Sequence, residues 1–135
     1  MKQVIVSAVN TKEYQGMKSP VLLGLIYDDL VRLLKFIYNA QKQGSLIGSF
    51  CFTNQIAYLD LFWHQFILHT RLYSEFCQTE LGGFLHHDPE PESKESGAVG
   101  TVQAEVFIEQ LNLLEKDMGK EFAQRVFFIY PELLK

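Results

Sequence analysis

One segment constrains this chain more than any other. From about Asn54 to Cys77 the residues follow a helical period yet stay apolar around most of the circumference, through Tyr58, Leu59, Phe62, Trp63, Phe66, Ile67, Leu72, Tyr73 and Phe76. Only Asp60, His64, Arg71 and Glu75 form a narrow polar stripe. A helix without a broad wet face must be covered on nearly every side. The chain of 135 residues can build one core without metal or disulfide staples, and two only awkwardly. The remaining elements are therefore expected to pack around this helix, as one domain spanning 1–135.

The other elements follow from their own signals. Ser19-Pro20 predicts a helix start, with a capping hydroxyl followed by a proline whose missing N–H costs nothing at the first position. From there to Gln43, Leu22, Ile26, Leu30, Leu33, Leu34, Ile37 and Ala40 share one face, opposite Asp28, Arg32, Lys35, Asn39 and Lys42. Gly44 suits a left-handed stop. A third helix is predicted from near Thr101, with Ala104, Phe107, Ile108, Leu111, Leu114 and Met118 inward. A short fourth, Lys120 to Tyr130, turns Phe122, Val126 and Ile129 inward and stops at Pro131. Between Gly82 and Gly100, prolines and glutamates predict an exposed, mobile loop. The predicted fold is mainly α, a compact bundle of about four helices. An α+β alternative pairs two segments of strand-like composition, Lys2 to Val9 and Arg125 to Tyr130, as a small terminal sheet.

Composition removes several functions. The net charge is −4, which argues against a nucleic-acid binder with its basic face. Residues 1–79 carry seven basic and five acidic side chains, and residues 80–135 five and eleven. The acidic half suits either a basic partner or solvated helix faces. The uncharged run from Gln43 to Leu59 is too rich in Gly, Ser, Asn and Gln to cross a membrane. It reads as a buried loop or short strand leading into the central helix. The apolar start, Val4 to Val9, is too short for a signal-peptide core, so a cytoplasmic location is expected. Cys51 and Cys77 form no CxxC pair. They suit two buried thiols in a reducing compartment, with a single bridge in an exported protein as the alternative.

Three groupings could carry chemistry. Asp60/His64 and Arg71/Glu75 are i,i+4 pairs on one stripe, either an acid–base site with an arginine for an anion or the solvent edge of a buried helix. His64, His86 and His87 offer metal donors if the helix and the loop meet in space. His69 lies about 140° further round the helix from His64 and suits a hydrogen bond to a neighbour. The aromatic load is eleven Phe, six Tyr and one Trp. If the bundle cannot cover all of it, residues such as Trp63, Phe66 and Tyr73 form a binding patch or line a pocket. Dinucleotide turns, phosphate loops, nucleophile elbows and HExxH are missing from the sequence.

Tyr14, Ser19-Pro20, Leu22-Leu23 and Tyr27-Asp28-Asp29-Leu30 loosely resemble the opening of flagellar export chaperones. The tyrosine is one residue out of register and the resemblance ends at about residue 44, so no binding residue is carried over.

The leading functional expectation is a small non-catalytic interaction module, such as an adaptor, an export chaperone or an immunity-type protein. Its partner would be another protein or a second copy of the chain, with no cofactor, nucleic acid or membrane. A metal-dependent protein or enzyme using His64 or His69 with His86 and His87 is the alternative. A binder of small ligands in an aromatic pocket is the third.

Overall fold

The computed structural model describes residues 1–46, 50–87 and 96–135, with the backbone alone for 96–104. The fold is mainly α, with no strand among the described residues. Helix α1 spans Lys2–Tyr14 and helix α2 Pro20–Lys42. The strand expected at Lys2 to Val9 is thus a helix. Its core residues Ile5, Val6 and Val9 share one helical face, whereas a strand would turn Val6 away from the other two. Between α1 and α2, Gln15 and Gly16 take positive φ. Asn10 then clamps the start of α2 by exchanging two 3.0 Å hydrogen bonds with the backbone of Lys18.

Helix α2 begins as its sequence dictates, with Leu22 N–H donating to Ser19 Oγ and Pro20 in the first turn. Its inner face buries Ile26, Leu30, Leu33, Leu34 and Ile37. Burying such side chains is worth roughly 1.5–3 kcal/mol each.

The central apolar segment is built in pieces. A 3-10 turn at Asn54–Ile56 leads into α3, Ala57–Leu68, and then α4, Thr70–Phe76. His69 separates the two with φ −87° and ψ 71°. The break holds because His69 Nδ1 lies 2.8 Å from the Gln65 carbonyl. Its N–H supplies the donor that a continuous helix would take from backbone. Phe62 and Phe66 are fully buried, as the predicted central position requires.

A π turn at Cys77–Leu81 ends in Gly82 at φ 83°. Only a residue without a Cβ adopts that backbone cheaply. At Gly83 an added Cβ would collide with the Tyr38 hydroxyl. The two glycines direct residues 84–87 back against α3, with Leu85 buried.

Helix α5 runs Ser96–Met118, so the helix starts inside the span expected as loop to Gly100. Residues 82–87 of that loop are described, and the burial of Leu85 shows that this part is not all exposed as expected; 88–95 lie outside the described residues, and so does the side chain of Ala104. Leu114 points inward, but Ile108 is exposed and Gln110 is buried instead. Gln110 is inside because its amide accepts from Cys51 N–H at 2.8 Å and donates to Cys51 C=O at 3.0 Å. A coil segment that lacks ladder partners is satisfied this way. Cys77 is buried, Cys51 half-buried, and the two are not bridged.

The last segment comprises α6, Lys120–Gln124, a π turn at Arg125–Ile129 and α7, Tyr130–Leu133. The strand expected at Arg125 to Tyr130 is therefore helical, and the terminal sheet does not form. Phe122 and Val126 face inward as expected, but Ile129 is exposed and Tyr130 takes its place. The i→i+5 bonding of a π turn takes about one more residue per turn, which shifts the register by one. Tyr130 then reaches Asp29 on α2. This carboxylate is 1% exposed and accepts from Tyr130 OH at 2.6 Å, Arg125 Nε at 2.9 Å and Arg32 Nη1 at 2.6 Å.

Candidate metal centre

Helical spacing places Asp60 and His64 one turn apart on α3, with Asp60 in the first turn. There the positive end of the helix dipole favours a carboxylate. The segment after Gly83 brings His87 onto the same spot from 23 residues away. His64 Nε2 lies 2.9 Å from His87 Nε2 and 3.5 Å from Asp60 Oδ2. His87 Nε2 lies 2.7 Å from Asp60 Oδ1. Side-chain exposure is 29% for Asp60, 50% for His64 and 12% for His87. One donor set is thus anchored on protein and open to solvent on one side.

The contact between His87 and Asp60 is short, but it is not a hydrogen bond. Asp60 Oδ1 is buried and has no hydrogen-bond partner. His87 Nε2 stands in ion-pair range of that oxygen without donating to it. A buried carboxylate oxygen without a donor costs about 1–3 kcal/mol or more, so the arrangement calls for something to satisfy it. Two imidazole nitrogens and the Asp60 carboxylate, with donor atoms within 4.8 Å of one another, could do so by sharing a cation. Bonds of about 2.1 Å place neighbouring donors about 3.0–3.4 Å apart, close to the separations seen here.

The surroundings hold His87 in place. Its ring stacks on the Trp63 indole at 4.0 Å between centroids and 21° between planes. Phe52 faces the same ring at 6.1 Å. The Trp63 indole N–H donates to Tyr73 Oη at 3.1 Å, and the Tyr73 hydroxyl donates to the Leu85 carbonyl. Burial pushes the Tyr73 phenol well above its ordinary range, so it stays a donor at any physiological pH.

The sequence-derived candidates divide here. His64 and His87 meet. His86, expected as a third ligand, points elsewhere: it is exposed and packs edge-on against Phe84 at 4.6 Å. Asp60, read from sequence as the orienting acid of an acid–base pair, takes the third donor position. The i,i+4 spacing from His64 was the signal for it. His69 makes the neighbour hydrogen bond expected of it. Arg71 and Glu75 are both exposed, and among the described residues no ion pair joins them to each other or to the centre. The bend at His69 carries them off the stripe. Trp63, Phe66 and Tyr73 are at most 3% exposed, so they offer no patch to a partner.

No curated protein and no solved structure matches the chain. The family model described as UCP032817-like matches residues 31–98. That stretch contains Asp60, His64, Tyr73, Leu85 and His87. The match spans half of the sequence, and on it the chain belongs to the UCP032817-like family.

Proposed function

We propose that this protein binds a divalent transition-metal ion through Asp60, His64 and His87, with its remaining coordination positions open to water or a ligand. The convergence of two Nε2 atoms on the Asp60 carboxylate, one of whose oxygens is buried and lacks a donor, carries this reading. Two imidazoles and one carboxylate suit Zn(II), Fe(II), Mn(II), Co(II) or Ni(II), and a three-ligand set that leaves positions open is the arrangement of reactive rather than purely structural ions. The half-exposed His64 lies on the side where such a ligand enters.

Titration of the protein with Zn(II), Ni(II) and Co(II) tests the proposal. One equivalent is expected to bind, and the emission of Trp63, the single tryptophan, should change because its ring lies against His87. His87→Ala and Asp60→Asn should each weaken binding by more than the roughly 10–100-fold that follows loss of a residue merely supporting a ligand. His86→Ala should leave it unchanged. Absence of uptake in equilibrium dialysis would refute the reading, as would equal losses in the His86 and His87 variants.

A second reading, self-association, is favoured by a different surface. Met17, Val21 and Leu25 are 80%, 75% and 52% exposed. Val21 borders a groove between α1 and α2 lined by Lys2, Val6, Asn10 and Pro20. Apolar side chains grouped this way suit an interface with a second copy. Sedimentation velocity should then show association that rises with concentration and is lost in Val21→Asp. A monomer at every accessible concentration would eliminate this reading.

A further inference from the structure

We infer that Tyr73 is the positioning residue of the Asp60–His64–His87 centre, its one hydroxyl fixing His87 from two directions at once. The inference rests on the metal-binding reading above.

His87 belongs to a segment without secondary structure, residues 84–87. Nothing in such a backbone sets its height or rotation over α3, whereas Asp60 and His64 are set by the helix itself. Two contacts of His87's surroundings supply what the backbone does not. The first is the stacked indole of Trp63, which fixes the plane of the imidazole. The second is the seating of Leu85, two residues earlier, which fixes the path of the chain. Both lead to the Tyr73 hydroxyl. It accepts from the indole N–H and donates to the Leu85 carbonyl.

Geometry makes this a single device rather than two adjacent bonds. Tyr73 is 1% exposed, and its ring packs edge-on against Phe66 at 5.1 Å and against Phe84 at 5.4 Å. The phenol therefore cannot swing to follow a displaced partner. Loss of the hydroxyl would leave an indole N–H and a carbonyl unpaired in the interior, and each would move to find water. The indole would tilt and the segment would lift. The imidazole would leave its place although no ligand had changed. Losing a group that hydrogen-bonds a metal ligand directly lowers affinity about 10–100-fold, and Tyr73, one contact further from His87, is expected at the lower end.

Tyr73→Phe removes only the hydroxyl. Co(II) affinity and the Co(II) visible spectrum are measured for wild type and variant, and thermal melting is followed in chelator. The expected result is a loss of affinity of at least about tenfold together with an altered spectrum, larger than the change in the metal-free melt can explain. Wild-type protein that binds Co(II), beside a variant of equal affinity and spectrum, overturns the inference and leaves the metal reading standing. Wild-type protein that binds no ion overturns both. Should Tyr73→Phe fail to fold, the wild-type chain gives the answer by NMR. The indole N–H resonance of Trp63 and the amide of Leu85 must both shift on Zn(II) addition, and an unmoved pair overturns the inference.

Discussion

Asp29 shows how much one buried side chain can decide. Burial alone would push its carboxyl up. The hydrogen bonds from Arg125, Tyr130 and Arg32 outweigh that and hold it below the ordinary carboxylate range. A depressed folded-state value means that this stabilisation is complete above the unfolded pKa of about 3.9 and fades as pH falls through the folded value. Wild-type urea midpoints should therefore drop between about pH 5 and pH 2, and Asp29→Asn should flatten part of that drop. Asp29→Ala should cost about 3 kcal/mol near neutral pH, because Tyr130 and Arg125 lose their acceptor. Equal acid dependence in wild type and Asp29→Asn would count against this account. Residue roles were only partly legible in the sequence. The i,i+4 pair Asp60/His64 was plain from spacing. The choice of His87 over His86 was not, because neighbouring residues in a coil face opposite ways and only the packing on Trp63 selects one. Periodicity put Asp28 on the outer face of α2 but gave Asp29 no role, since two of its three donor residues, Arg125 and Tyr130, lie 96 and 101 residues downstream.

Among the elements, the turn at Gly82 matters most to the site. Its φ of 83° lets the π turn at Cys77–Leu81 end and the chain double back. Gly82→Ala should cost about 1–2 kcal/mol of stability, read from chemical denaturation. It should also weaken metal uptake, because His87 arrives through that turn. A variant with normal stability and normal uptake would show that the turn has other ways to close. The start of α2 and its inner face were readable because capping and 3.6-residue periodicity are local signals. The breaks were less so. His69 has no breaker chemistry of its own, and its split of α3 from α4 depends on a side-chain bond to Gln65 that a helical wheel does not display. Lys2 to Val9 misled for a related reason. Its β-branched composition favours a strand weakly, and the burial of Ile5, Val6 and Val9 together against α2 and α3 overrides it.

Across the whole molecule, the apolar segment expected as one helix from Asn54 to Cys77 is central but broken into two, and α5 meets α2 and α6. Helix α3 packs against α1, α2 and α4. No helix among the described residues is long and apolar enough to cross a membrane. The interior absorbs Trp63, Phe66 and Tyr73, and the aromatic side chains left outside are others, Phe84 and Phe128. An aromatic excess was thus a sign of packing in the middle of the chain. What it could not reveal was that the same packed rings shape a polar centre at the surface.

The π turn at Arg125–Ile129 is one residue of slack in an otherwise regular rod. Delete a residue there and the screw tightens: Ile129 rotates inward and Tyr130 swings off its anion. The length of the C-terminal rod is therefore gauged by a carboxylate encoded near the other end of the chain, and a one-residue slip in that stretch would be felt there first.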